Sequence, residues 1–370
     1  MLFLVLIVLI TLFLYVLLIA RYAFGWSKIR KETQESFTPQ VSIVIAIRNE
    51  QSNIVRLLKS LQSQIYDIKK LEVILVNDHS TDNTFALLNK TTLANFQILN
   101  MPEERSGKKD AIRMGVSKAS GDIILVSDAD CIFTPDWVKT MVSYFANHDV
   151  KLVSGPVSFN KQEGVFQSFQ ALEFASLIGS GAGAIGIKNA IFCNGANMAY
   201  RKEVFMQGYN STHENIVSGD DVFLLHSVKE KHPKSIAFAK YEDAIVTTDG
   251  MQSIKGFINQ RKRWVAKSSV YKDRESIYVS YLILFTNIFF VFLFMILFFD
   301  VSFLQLFALF YVIKFIVDSY LIYPVLRFIK REDLAKWIFF FELIYSFYIT
   351  LIVILSFTKG FEWKGRVHKK

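Results

Sequence analysis

Residues 2–20, LFLVLIVLITLFLYVLLIA, contain no charged side chain. A helix needs about 20 apolar residues to cross the hydrocarbon core of a bilayer, so this stretch is long enough to span. The competing reading is a cleaved leader, whose apolar run is usually about 7–15 residues and ends at a small-residue cleavage site. Here Arg21, Tyr22 and Trp26 follow the run, which favours a retained anchor over 1–21. Three more apolar stretches, about 277–299, 303–325 and 337–357, lie near the other end of the sequence, each near spanning length. A purely soluble domain would not need 35 phenylalanines in 370 residues.

Between these regions, about 36–275 has ordinary soluble composition and is long enough for a domain with its own core. The two cysteines, Cys131 and Cys193, are far apart and lack metal-ligand spacing. They imply neither a disulfide framework nor a zinc site, and a reducing compartment fits. Arg21, Lys28, Arg30 and Lys31 follow the first anchor, and Arg327, Lys330, Arg331 and Lys336 separate the last two apolar stretches. Positive charge beside a span marks the cytoplasmic side, which puts the N-terminus outside and the large domain inside. The basic tail, 358–370, disagrees, because four full spans would leave it outside. Either the tail breaks the rule or one C-terminal segment does not cross.

The section 40–130 alternates short β-branched runs with helical patterns. Val41–Ile47, Leu71–Val76, Phe96–Leu99 and Ile123–Val126 read as strands, with a helix near 51–64. Near-continuous apolar strands separated by helices indicate a mostly parallel, doubly wound α/β sheet covered on both faces. Ligands bind such sheets beyond the carboxyl ends of the strands. Those ends are polar here: Arg48-Asn49-Glu50, then Asn77-Asp78-His79-Ser80-Thr81-Asp82, then Ser127-Asp128-Ala129-Asp130. Asp82 or Ser80 would also serve as a plain helix cap. Capping does not account for both acids of Asp128-Ala129-Asp130. The first strand is followed by neither a GxGxxG nor a GxxxxGK[ST] loop, which argues against a dinucleotide oxidoreductase or a P-loop nucleotidase. Carboxylates repel phosphates unless a cation stands between them, so Asp-x-Asp suits a Mg²⁺ or Mn²⁺ clamp on a diphosphate.

VSIVIAIRNE (41–50), VNDHSTDNT (76–84), GKKDA (107–111) and SDADC (127–131) resemble the nucleotide half of family 2 inverting glycosyltransferases. CNGANMAYRKEVF (193–205), GDD (219–221) and QRKRW (260–264) are similar to the acceptor half of its membrane-bound branch. The resemblance covers about 41–265. It implies a GT-A fold over 36–250, followed by an interfacial segment over 251–275 and about three spans over 277–357. It also implies transfer from a nucleotide-diphosphate sugar, expected to be UDP-linked, on the cytoplasmic face of a bacterial inner membrane during cell-envelope glycan synthesis. Carried over residue by residue, Asp78, Arg48, Glu50 and Lys108 would bind the nucleotide. Asp128 would lie beside the sugar or ribose, and Asp130, with Asp128, would hold the metal. Asp221 would be the general base, with Asp220 as its alternative. Gln260, Arg263 and Trp264 would close over the diphosphate and acceptor. The sequence departs from the family at Ala46-Ile47-Arg48, where proline and tyrosine are frequent, and at Gly219-Asp220-Asp221, where Glu-Asp is frequent.

Residues 252–270 also fit an amphipathic helix at a membrane surface, with Phe257, Ile258, Trp264 and Val265 towards lipid and Arg261, Lys262, Arg263 and Lys267 towards headgroups. Phe166, Phe169, Leu172 and Phe174 suit either a second such surface or ordinary core packing. Lys314 and Asp318 are four apart, so they share one helix face and form an internal pair by default. A part in acceptor passage is the alternative reading of that pair, and Glu342 is a similar buried-depth charge. The acceptor expected from anchoring at both ends is a membrane lipid or lipid-linked saccharide. A processive polysaccharide synthase, a non-catalytic nucleotide-sugar scaffold and a transporter are the competing classes. Both acids of the Asp-x-Asp and the base carboxylates are present, which argues against the scaffold, and no paired repeat supports the transporter.

Overall fold

A computed structural model describes residues 2–30, 36–90, 95–208, 220–268, 270–357, 361–363 and 366–368. Gly219 and the side chains of Asp220, Lys267 and the basic tail lie outside the described set. The chain begins with α1 (Leu2–Lys28), then β1 (Val41–Ile47), α2 (Ile54–Gln62), β2 (Leu71–Asn77), α3 (Thr84–Leu88) and β3 (Phe96–Asn100). It continues with α4 (Lys108–Lys118), β4 (Ile123–Asp128), α5 (Trp137–Ser143), β5 (Leu152–Ser154), β6 (Val157–Phe159) and α6 (Val165–Gly186). Next come β7 (Asn197–Arg201), α7 (Lys202–Gly208), α8 (Asp220–Lys231), β8 (Ile236–Phe238) and β9 (Val246–Thr248). Helices α9 (Ile254–Ser268), α10 (Arg274–Ile296), α11 (Leu304–Phe328) and α12 (Ile338–Ser356) precede a short hairpin, β10 (Phe361–Trp363) and β11 (Arg366–His368). These elements form two compact units.

The first unit comprises 29–160 and 188–249. Its seven-stranded sheet has the order β3-β2-β1-β4-β7-β5-β8. Strands β1 to β4 are parallel; β1, β2 and β4 are near-continuous apolar runs, and Ile43, Val44, Ile45, Val73, Ile74, Leu75, Ile123, Ile124 and Leu125 have no exposed surface, whereas the edge strand β3, FQILN, is only partly buried. Strand β7 runs antiparallel to both β4 and β5. A second small sheet pairs β6 with β9. Register fixes where the site lies: Ile47 is opposite Asn77 and Ala46 opposite Asp128. Arg48 and Asp78 therefore leave their strands at the same level, one residue beyond Ala129. Asn197, fully buried on β7, holds the junction by donating to the carbonyls of Pro156 and Ala244, both at 2.7 Å, while accepting from the Trp137 indole at 3.0 Å.

The second unit comprises Met1–Lys28, Lys161–Ile187 and Gly250–Lys370. Among the described residues, four helical stretches are long and apolar enough to cross a membrane: Leu2–Lys28, Arg274–Ile296, Val301–Phe328 and Glu332–Ser356. Helix α6 belongs to this unit and packs along α1 and α11. Small residues permit the α1–α6 approach: a Cβ on Gly183 would stand 2.3 Å from the Tyr22 carbonyl oxygen, and one on Gly25 would stand 2.0 Å from that of Gly183. Phe169 packs edge-on against Phe341 and Tyr348 of α12, and Leu172 and Phe174 are buried, so core packing accounts for this stripe. Lys314, with no exposed surface, pairs with Asp318 at 2.8 Å and with Glu342. Tyr15 of α1 donates to both Asp318 oxygens, at 2.6 and 2.8 Å.

Candidate active site

The rim of the sheet unit is organised by backbone groups freed where the strands stop. The Arg48 guanidinium donates through Nη1 to the carbonyls of Asp78, at 2.7 Å, and His79, at 2.9 Å. It thereby ties the β1 end to the β2 end. Asp78 is 1% exposed, and its Oδ2 accepts from the Gly107 N–H at 3.0 Å. Gly107 has φ 105°, a left-handed value that a Cβ would strain, and it opens α4. That turn places Lys108 at the first position of the helix, where its Nζ forms an ion pair with Asp128 at the end of β4. Three strand ends and one helix start thus converge through Arg48, Asp78, Lys108 and Asp128.

Glu50 is buried and locked from two sides. Its N–H donates to Thr84 Oγ1 at 2.7 Å, and its Oε2 accepts from Asn53 Nδ2 at 2.6 Å. The Asn53 side-chain oxygen in turn accepts from Arg56, which also donates to Asp249 at 3.0 Å, and Asn160 donates to the same carboxylate at 2.7 Å. Sequence reasoning missed this relay because Asn53 and Arg56 look like ordinary helix-surface residues. Partial burial works against the Asp249 charge, but the hydrogen bonds from Asn160 and Arg56 hold its carboxyl below the usual range. Asp82 is a local cap: its two oxygens accept from the N–H groups of Thr84 and Gln51, at 3.0 and 3.2 Å.

Beyond β4, the Cys131 thiol lies 3.8 Å from Asp130 Oδ1 and is buried. Burial, then the charges of Asp130 and Asp128, push this thiol well above its ordinary value, so it stays a neutral thiol. Among the described residues no group of three or more His, Cys, Asp or Glu side chains gathers to cage a metal. Two carboxylates at one strand end, Asp128 and Asp130, are instead a partial hard-oxygen set. This suits a Mg²⁺-like ion that completes its shell with substrate phosphates and water. The residues present fit such an ion.

Asp221, near the start of α8, is held by two backbone donors. Its Oδ2 accepts from Gly195 N–H at 3.1 Å and its Oδ1 from Val222 N–H at 2.9 Å. Cys193 lies 3.4 Å from the Asp221 carbonyl. The side chain of Asp220 lies outside the described set, so only Asp221 is given a geometry.

Residues 42–208 match the sequence model for Glycosyl transferase family 2. The chain carries a family 2 glycosyltransferase domain. A poly-beta-1,6-N-acetyl-D-glucosamine synthase of Staphylococcus aureus is 32% identical over 160 residues, which are 41% of this chain and 38% of that protein. Glycosyltransferase AglE of Haloferax volcanii is 34% identical over 131 residues, 35% of this chain and 43% of its own. The chain thus matches less than half the length of these curated relatives. In three dimensions it is similar to the mannosyltransferase PcManGT from Pyrobaculum calidifontis, solved with GDP-Man and Mn2+. That likeness has a TM-score of 0.58 at 16% identity and covers 94% of this chain and 98% of the other. The fold class is therefore GT-A, a mostly parallel sheet with flanking helices, joined to apolar helices at both ends.

In the other unit, the QRKRW segment lies on α9. The helix is present, but Arg261 does not face outward as an amphipathic surface helix requires: it is 3% exposed, as is Phe257. Glu173 of α6 takes its guanidinium in a two-pronged pair, with Nε 3.0 Å from Oε1 and Nη2 on Oε2. Burial disfavours the Arg261 charge, yet the Glu173 carboxylate and its hydrogen bonds more than offset this and hold the guanidinium's pKa above its ordinary value. Gln260, Arg263 and Trp264 are partly exposed.

Proposed function

We propose that this protein transfers a sugar, with inversion, from a nucleoside-diphosphate donor to a membrane lipid or lipid-linked saccharide. The observation that carries the reading is the convergence of Arg48, Asp78, Lys108 and Asp128, from three strand ends and one helix start, within a family 2 domain. Asp78, Glu50 and Arg48 are assigned to the nucleoside, which the family resemblance makes a uridine. Lys108 is a mobile-headed cation that can leave Asp128 for a phosphate oxygen. Asp130, with Asp128, would hold Mg²⁺ or Mn²⁺, which when bound neutralises charge on the leaving diphosphate. The Mn2+ and nucleotide sugar bound by PcManGT support this assignment.

Asp221 is the proposed base. Two backbone hydrogen bonds fix its carboxylate in place, and a carboxylate so held is the kind of group that accepts the proton of an acceptor hydroxyl. Gln260, Arg263 and Trp264 take their roles from the motif: charge stabilisation of the leaving group by the guanidinium, and stacking against an acceptor by the indole. Four apolar helices favour an acceptor drawn from the bilayer, and positive charge after α1 favours a cytoplasmic catalytic domain in a bacterial inner membrane.

The test is purified protein in detergent with labelled nucleotide sugars, divalent metal and candidate lipids. Label should enter the lipid phase from one donor class, and no incorporation from any nucleotide sugar would overturn the reading. The synthase relative favours a second reading, processive polymer synthesis. Long polymer formed without added lipid would select it.

A further inference from the structure

The family motif leaves two of the five QRKRW places unassigned, and the structure buries one of them, Arg261. Arg261 stacks over the Trp264 ring at 4.1 Å and over the Phe257 ring at 4.5 Å. Its Nη1 donates to Gln260 Oε1. The remaining prongs meet Glu173, whose Oε1 also accepts from the Tyr348 hydroxyl at 3.2 Å. Phe257 stacks on Tyr348, so the cluster joins α6, α9 and α12.

A buried ion pair roughly offsets its own desolvation, so its worth is geometric more than energetic. Here the geometry is specific. A planar guanidinium presents both faces to rings and its edge to a carboxylate, which an ammonium does not. Without Arg261, Gln260 loses its side-chain donor and Trp264 loses the plane it lies on. Without Glu173, the arginine is a buried cation that has lost its carboxylate.

We infer that Arg261, fixed by Glu173 and Tyr348, is a positioning residue that sets the orientation of Gln260 and Trp264 for sugar transfer. The inference rests on the transferase reading above. A misplacement of about 1 Å in groups that act on the reacting centre costs up to ~100-fold in rate, whereas donor affinity is set elsewhere.

The test compares Arg261→Lys, Tyr348→Phe and Glu173→Gln in the full-length detergent-solubilised protein. Thermal unfolding, kcat and donor KM are measured for each. Arg261→Lys, which keeps the charge, should stay folded, lose at least about 10-fold in kcat and change donor KM less than about 3-fold. Tyr348→Phe should show the same pattern more weakly. Glu173→Gln leaves a buried cation, so it is read only if it folds. Acrylamide quenching of Trp264, isolated by replacing the other four tryptophans with phenylalanine, should rise in Arg261→Lys. Native kcat and native quenching in a folded Arg261→Lys overturn the inference, as does a rate loss matched by an equal loss of folded protein. A wild-type protein that transfers no sugar at all sinks the transferase reading instead.

Discussion

Gly195 donates its backbone N–H to Asp221 across 3.1 Å, and a Cβ added to that glycine would meet the same carboxylate oxygen at 3.1 Å. The contact is tighter than a side chain normally tolerates, so Gly195→Ala should displace the carboxylate by a few tenths of an ångström. Asp221→Asn acts differently. One amide NH2 would face a backbone N–H, which loses a hydrogen bond of about 1 kcal/mol and removes the proton acceptor. Donor binding should persist while transfer slows by at least about 100-fold. Gly195→Ala should fall between this variant and wild type. A larger effect from Asp220→Asn would move the base to its neighbour.

Asp130→Asn should abolish metal-supported transfer without unfolding the protein, because the Asp130 side chain is at a strand end and not in the sheet core. Excess chelator should stop the wild-type reaction, and added Mg²⁺ or Mn²⁺ should restore it. Full turnover in chelator would remove the cation from the mechanism.

The parallel half of the sheet was legible because β1, β2 and β4 are near-continuous apolar runs that each end in a polar cluster, with the partly buried β3 between two helical stretches. Strands β5, β6, β8 and β9 have three residues each, too short for any period, and β7 is recognisable only through its antiparallel partners. In the sequence, Phe166, Phe169, Leu172 and Phe174 fit an interfacial surface and core packing equally, and nothing there marks the small residues of α6 as what lets α1 approach. Arg261 was read as a headgroup ligand because charge in a sequence signals surface. Its partner Glu173 lies 88 residues away, and nothing local announces the pair.

The α1–α6 contact predicts a steric cost. Gly183→Val puts its Cβ 2.3 Å from backbone carbonyl oxygen, which cannot rotate aside as a side chain can. Overpacking of this kind costs about 1–3 kcal/mol or more. Gly183→Ala should lower the unfolding temperature in detergent less than Gly183→Val does. Equal stability of wild type and Gly183→Val would mean that the helices do not pack this closely.

Asp249 supplies an acid-sensitive tie. Its folded pKa is depressed, so the stabilisation is fully present above the unfolded carboxylate value of about 3.9 and is lost as pH falls through the lower folded value. Circular dichroism from pH 5 to 2 should give a shallower acid loss for Asp249→Asn than for wild type. Identical acid profiles would rule out this contribution.

The Lys314 cluster gives the clearest separation of packing from function. Lys314 faces two carboxylates inside an apolar helical unit, and the Tyr15 hydroxyl is shared between both oxygens of one of them. Lys314→Met would leave Asp318 and Glu342 as uncompensated acids in a setting where charge is costly. Removing one partner of a buried pair typically costs about 3–5 kcal/mol. Replacing all three charges, as Lys314→Met with Asp318→Asn and Glu342→Gln, should recover much of that loss, since no ion then remains to be satisfied. Tyr15→Phe should cost less, about 1.5–3 kcal/mol for hydrogen bonds to a charged group. Thermal unfolding in detergent orders the four proteins, and a Lys314→Met variant as stable as wild type would refute the buried-charge argument. Turnover of the triple variant then divides the two readings of the cluster. Native transfer by a folded triple variant makes it a packing device, whereas a folded variant that binds donor but does not transfer gives it a part in acceptor passage.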